Sequence, residues 1–286
     1  MYIGQTTNQK RRTHEGSPRN VETRGKEQIV ADNGNAPPVY VVTGATGGIG
    51  SELCRRLAKG GAKLVVGARN EQRLDDLADR LDARPVPLDV TKTGEVDRLF
   101  GEAVEEFGCV NGAANCVGSF VLKPAHLTSD EEWAETIALN MTTAFGTIKA
   151  AAKHMPHGGS VVLLSSVAAR VGLANHEAIA AAKAGVVGLA LSAAATYVGR
   201  GLRVNAVAPG LVQTSMTQSV TRSETARQAS VDLHPLGRLG EPADVAAMIE
   251  WLLDPANTWV TGQVFGVDGG LSTLRPLPRR PSKSSS

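Results

Sequence analysis

The stretch VYVVTGATGGIG, from Val39 to Gly50, restricts the possible folds more than any other part of the chain. A run of β-branched and aromatic residues stops at Thr43, and glycines then lead into helical spacing that runs from about Gly48 to Lys59. Strand, glycine turn and helix in immediate succession open a βαβ unit. Gly44 permits the tight turn, Gly48 lets the backbone approach a pyrophosphate, and Gly50 lets the helix sit close to the sheet. The first N–H groups of such a helix have no partner within it, and its dipole favours an anion there. An ordinary turn uses glycines too. The second strand, KLVVGA at 63–68, supplies the context that favours a nucleotide site.

Beyond this unit, strand-like and helix-like patterns alternate without a break. The pattern predicts an α/β fold of Rossmann type, with a doubly wound, seven-stranded parallel sheet covered by helices on both faces in a single domain over 39–271. The remaining strands fall in RPVPLDV, VNGAANCVG, GSVVLLSS, RVNAVAPG and GQVFGVDGG. Helices are expected in EQRLDDLADRL, up to Phe107, and over 176–199. Thr128 with Glu131 reads as the capping box of one long helix running towards His154. Residues 1–38 and 272–286 are too polar to offset chain entropy and are expected to be disordered.

Aromatic residues make up only 4% of the chain although 42% is hydrophobic, so the core must be built from small and branched side chains, as buried parallel strands require. The net charge of +2 reflects the ends. Residues 1–38 carry six Lys/Arg against four acids, and 271–286 carry four against none, which leaves the middle at about −4. That balance argues against nucleic acid as a partner. Cys54, Cys109 and Cys116 are odd in number and fit no metal-ligand spacing, consistent with a reduced cytoplasmic location and no bound metal. Glu15, Glu22 and Glu27 argue against an import peptide, and no apolar run reaches the roughly 18 residues of a membrane span.

TGATGGIG, LDVT at 88–91, NCVG at 115–118, LNMTTAF at 139–145, LLSSVAA at 163–169, RVNAVAPG at 203–210, LGRLGEPADVA at 236–246 and TGQVFGVDGG at 261–270 occur in that order. With them the chain resembles the short-chain dehydrogenase/reductase family over residues 39–271. The resemblance implies a nicotinamide dinucleotide held by Gly44, Thr46, Gly48, Ile49 and Gly50 at the turn. Asp89 and Val90 would frame the adenine, Asn115 and Gly118 would line the cleft, and Pro209, Gly210, Val212 and Thr214 would hold the nicotinamide end. It also implies a small-molecule substrate, a lid over 215–235, and a homo-oligomer, a tetramer or dimer, packed through the small residues of the 176–199 helix. At the end of the second strand the family's acid is replaced by Ala68 and followed by Arg69. A guanidinium pairs well with a 2′-phosphate, so NADP(H) is favoured over NAD(H). The basic residue that some NADP-dependent relatives place before the second motif glycine is absent, because Gly47 stands there. Cys116, where the motif usually has Asn, reads as a buried filler or a modestly reactive thiol.

The resemblance further implies a Ser, Tyr, Lys and Asn as catalytic residues. Counting back from Lys183 in HEAIAAAKAG gives Ile179 for the Tyr and Ser166 for the Ser, and Asn140 matches the Asn. The unfilled position belongs to the proton donor. Lys183 retains a reason of its own: a lone ammonium among alanines is costly to bury, and a cofactor ribose would account for it. Tyr2, Tyr40 and Tyr197 lie far from position 179 in sequence or along the helix. His176, one turn before Ile179, is the first candidate donor, and a water held by Lys183, Ser166 and Asn140 is another. Two functions follow: an NADP(H)-dependent oxidoreductase acting on a carbonyl or alcohol through an altered proton relay, or a weakly active or inactive NAD(P)-binding protein with a sensing or partner-binding role.

Overall fold

A computed structural model describes residues 36–276. The disorder expected for 1–38 and 272–286 therefore falls almost wholly outside the described residues. The unit that begins at Pro37 carries the fold.

Seven strands form one sheet in the order β3-β2-β1-β4-β5-β6-β7: β1 (Val39–Thr43), β2 (Lys63–Ala68), β3 (Arg84–Pro87), β4 (Gly112–Asn115), β5 (Gly159–Leu164), β6 (Leu202–Pro209) and β7 (Val264–Val267). Every pairing is parallel. The order reverses between β1 and β4, and ligands of such sheets bind outside the strand ends at this switch point.

Helices α1 (Gly48–Lys59), α2 (Glu71–Leu81) and α8 (Pro242–Leu253) cover one face, where Leu53, Leu74 and Ile249 are fully buried against Val42, Val66 and Val207. Helices α3 (Glu95–Phe107), α5 (Thr143–His154) and α6 (Glu177–Tyr197) cover the other, around Phe100, Val65, Val161 and Val204. The sheet side chains are mainly valine, leucine and alanine, as the scarcity of aromatics required.

Two expectations need correcting. The capping box is Ser129 with Glu132, not Thr128 with Glu131. Thr128 is unavailable because its Oγ1 donates to the Pro124 carbonyl at 3.2 Å, closing the short 3-10 turn Ala125–Leu127. The long helix towards His154 is present but is not α-helical throughout. Helix α4 (Asp130–Ile137) gives way to a π-helical turn, Ala138–Thr142, before α5 begins. π turns inside α-helices occur frequently at functional sites, and this one carries Asn140.

Helix α6 corrects the reading of the apolar runs. Taken to Arg200 it is long and apolar enough to cross a membrane by length and composition alone. Here it is a core helix, with Ala178, Ile179, Ala182, Lys183, Val186, Ala190, Ala193 and Ala194 buried. Its other side leaves Ala181, Ala184, Gly188, Leu191 and Ala195 exposed, a stripe at helical spacing. The expected lid contains one short helix, α7 (Glu224–Asp232), capped by Ser223, whose side chain accepts from the Ala226 N–H.

Candidate active site

At the switch point the β1–α1 turn is pressed against the end of β4. Gly44 has φ +71°, and a Cβ there would lie 2.8 Å from the Cys116 carbonyl carbon. A glycine is thus required on two counts, the left-handed conformation and the close approach. A Cβ on Gly50 would collide with the Gly44 carbonyl, so α1 can start this near the turn only without a side chain. Gly47 caps α1 with no side-chain bond, which leaves the first-turn N–H groups open to an anion.

A cleft of about 190 Å³ runs from this helix start across the sheet ends. Gly48, Ile49, Gly50, Gly118, Asn140, Ser166, Lys183, Pro209, Gly210, Val212 and Thr214 all line it, eleven of the expected site residues. Gly44, Thr46, Arg69, Asp89, Val90 and Asn115 do not. Asn115 is buried and occupied: its Nδ2 donates to the Thr143 and Thr147 hydroxyls at 3.3 and 3.2 Å, and its Oδ1 accepts from the Val117 N–H. It fastens β4 to α5. Asp89 Oδ1 accepts from the Thr91 hydroxyl and N–H at 2.7 and 3.0 Å, bonds that hold its carboxyl below the usual range, aided by the nearby Arg69 charge. Val90 packs into the core.

Asn140 owes its setting to the π turn. Its Nδ2 donates to the Thr136 carbonyl and to Ser119 Oγ, both at 2.9 Å, while its Oδ1 accepts from the Ser119 N–H at 3.2 Å. The side chain thus occupies a helix carbonyl and clasps the loop after β4 in one move.

Lys183 is 6% exposed, and its Nζ donates to the Leu164 carbonyl at the end of β5, 2.8 Å away. Burial pulls its ammonium down to about 8. The Nζ faces Gly118, where an added Cβ would stand 3.5 Å from it. The half-buried Cys116 also lines the cleft, and burial pushes its thiol up to about 12. Ile179 is 3% exposed and lines the cleft beside Ser166 and Lys183. Neither described tyrosine replaces it. Tyr40 OH donates to the Leu253 carbonyl at 3.4 Å, and Tyr197 pairs with the Arg200 guanidinium. Tyr2 lies outside the described residues.

A second cavity, of about 390 Å³, adjoins the first and shares Phe120, Ser166, Ile179, Gly210 and Leu211 with it. His176 lines this second cavity, so it stands on the other side of the Ser166–Ile179 seam from Lys183. It is the N-cap residue of α6. Its Nδ1 lies 2.7 Å from the Ala174 carbonyl and must donate to it, leaving Nε2 for other partners. Glu177 borders a different hollow with Trp133 and Asp130. A larger hollow between α8 and β7 touches neither Ser166 nor Lys183.

Three residues escaped the sequence reading. Ser119 could not be found before the π turn was known. Arg73, in the first turn of α2, donates to the Thr46 carbonyl at 3.2 Å and so places a guanidinium against the glycine turn; a basic residue four positions after Arg69 was the available signal. His234 is buried in the second cavity, with Nε2 accepting from the Leu211 N–H at 3.1 Å and Nδ1 2.7 Å from the Ser230 carbonyl.

Comparison with known proteins agrees with this geometry. A family model described as enoyl-(acyl carrier protein) reductase matches residues 44–272. The 3-oxoacyl-[acyl-carrier-protein] reductase FabG of Thermotoga maritima is 34% identical over 242 residues, covering 82% of this chain and 97% of its own. The cis-4-hydroxycyclohexanecarboxylate dehydrogenase of Sinomonas cyclohexanicum is 38% identical, over 84% of this chain and 98% of its own. A crystal structure of an actinorhodin polyketide ketoreductase with NADPH superposes with TM-score 0.78 at 31% identity, over 83% of this chain and 98% of that one. The chain belongs to the short-chain dehydrogenase/reductase family. Its relatives are oxidoreductases.

Replacing Asn140 by alanine removes three hydrogen bonds and leaves the Thr136 carbonyl and Ser119 groups without that partner. The expected loss is about 1–3 kcal/mol of stability, read by chemical denaturation.

Proposed function

We propose that this protein is an NADP(H)-dependent oxidoreductase that reduces a carbonyl, or oxidises the corresponding alcohol, with a proton relay that does not use tyrosine. The observation that carries this reading is the seam between the two cavities. Ser166 and Ile179 line both, Lys183 lies on the glycine-turn side, and His176 lies on the other. A carbonyl at the seam would therefore meet a hydroxyl, a buried cation and an imidazole together.

The residues present fit the dinucleotide. The uncapped start of α1 suits a pyrophosphate, and Lys183 suits a ribose. Arg69 and Arg73 lie where β2 ends without a carboxylate, which supports a 2′-phosphate and hence NADP(H) over NAD(H). When bound, the cofactor supplies the hydride.

The chain's own residues supply the rest. Ser166 Oγ accepts from the Ala168 N–H at 3.2 Å, so its O–H remains to donate to the carbonyl oxygen. The Lys183 ammonium lends positive potential to the oxygen as charge develops there, in a site shielded from water. Protonated His176, with Nδ1 committed to Ala174, delivers a proton from Nε2 to that oxygen. Loss of a general acid typically lowers rate by ~10²–10⁴, so a substituted donor is compatible with slow turnover. The second reading, an NAD(P)-binding protein without turnover, rests on Ile179 alone. The exposed stripe of α6 supports a homo-oligomer.

A carbonyl panel with NADPH, followed by loss of reduced-cofactor absorbance, tests the reading. Turnover of at least one ketone is expected; tight cofactor binding with no turnover on any would favour the inactive alternative. Ile179→Tyr is expected to raise the rate by about tenfold or more, and His176→Ala to lower it by a similar factor. An unchanged rate in the second variant removes His176 from the relay.

Arg69→Ala should weaken NADPH binding by about tenfold, leaving NADH affinity unchanged. Equal losses for the two would contradict the phosphate assignment.

Cofactor affinity should also report Lys183. Because burial holds its ammonium at about 8, the charge is present below that pH and is lost as pH rises through it. NADPH affinity is expected to fall across this range, well below the ~10.4 of an ordinary lysine. Titrations by cofactor fluorescence should show the step in the native protein and none in Lys183→Met.

A further inference from the structure

The second cavity is unusual in how its polarity is distributed. Phe120, Leu122, Leu173, Leu211, Val220 and Leu233 form its walls, and among the described residues no Lys, Arg, Asp or Glu lines it. Of its four principal polar side chains, two are already committed. His234 donates from Nδ1 to the Ser230 carbonyl and accepts the Leu211 N–H at Nε2, so neither ring nitrogen remains for a ligand. The Ser230 hydroxyl donates to the Ala226 carbonyl at 2.9 Å. What remains is the Ser166 hydroxyl, at the seam beside Ile179, and His176 Nε2, which lines this cavity one helical turn before Ile179. The Ser166 hydroxyl and His176 Nε2 can therefore recognise a carbonyl oxygen, while most of the other side chains lining the cavity are apolar and none of them is charged.

We infer that this cavity takes an uncharged ring ketone, aromatic or alicyclic, whose carbonyl alone is recognised by polar groups. The inference rests on the oxidoreductase reading for the ketone, and on the lining alone for the absence of charge. An anionic substituent carried into these walls would lose its hydration and find no cation in return, an unfavourable transfer. The volume of about 390 Å³ lies towards the lower end of the ~300–1,000 Å³ span of ligand pockets, space for a compact ring system. The edge-to-face pair formed by Phe120 and His176, with ring centroids 6.4 Å apart, sets aromatic surface next to the carbonyl end, which suits a flat ring.

The test compares two probes that differ by one carboxylate, 2-acetylnaphthalene and 6-acetyl-2-naphthoic acid, by calorimetric titration of the full chain with and without NADPH. The neutral ketone is expected to bind at least about tenfold more tightly. Equal or tighter binding of the acid would overturn the inference. Leu173→Arg places a cation in the wall away from the cofactor cleft. It is expected to reverse or narrow the preference by about tenfold with NADPH affinity retained. An unaltered preference in a folded Leu173→Arg would show that the ligand lies elsewhere and would overturn the assignment of this cavity. Turnover is scored separately. Selective binding of the neutral ketone without NADPH oxidation would remove the oxidoreductase reading and leave the cavity's selectivity standing. Preferential turnover of the acid would sustain the oxidoreductase and refute the neutral substrate.

Discussion

The whole site depends on one close approach of the backbone to itself. The end of β1 leaves the sheet at Gly44, where the N–H donates to the Gly67 carbonyl at 2.9 Å and the α-carbon lies against the Cys116–Val117 peptide. Thr43 meanwhile receives the Cys116 N–H on its carbonyl at 3.0 Å. With a side chain at Gly44, the turn would have to swing away from β4 and take the start of α1 with it. The helix N-terminus would then no longer face the loop that carries Gly118 and Ser119. Glycine at 44 and at 50 is therefore a condition for the cleft, as well as for the turn.

The same economy of space governs the catalytic side. Lys183 is buried, and the Leu164 carbonyl is the partner that keeps its ammonium from being an unpaired charge. An isoleucine at 179 adds apolar surface next to it and no acceptor, so desolvation is the dominant influence on its ionisation. A tyrosine there would place a hydroxyl within the same shell. The substitution thus acts twice: it removes a donor from the seam, and it leaves the lysine charge in drier surroundings, where its field on a bound oxygen is stronger. These effects oppose each other in their consequences for rate.

Much of this was legible in the residues. The glycine turn, the succession of strands and helices and the places of Ser166, Ile179 and Lys183 along the chain all follow from patterns that act locally or at fixed spacing. The misreadings have local physical causes as well. Thr128 and Ser129 each stand three residues before a glutamate, and only the competing bond from Thr128 to Pro124 decides between them. The π turn is invisible to periodicity because apolar residues continue through it. It becomes intelligible only once the Asn140 amide is seen to occupy the Thr136 carbonyl. Asn115 looked like a cleft residue but is committed to Thr143 and Thr147, contacts that exist only after α5 folds back onto β4. The Arg73–Thr46 contact joins the start of α2 to the glycine turn, and the sequence hinted at it only through a basic residue shortly after Arg69.

The seam explains why a single side chain carries so much of the functional question. Ile179 is a wall of both cavities, so any group at this position faces the cleft at the glycine turn and the second cavity together. Moving the donor to His176 shifts the source of the proton to the substrate side, one helical turn back along α6. Its Nδ1 is fixed by Ala174 at the point where the chain enters the helix, which orients Nε2 by backbone geometry rather than by a neighbouring cation. A proton delivered by a histidine so placed would not depend on the lysine. In the proposed relay Lys183 would keep an electrostatic and cofactor-binding role, and its retention would need no tyrosine to explain it.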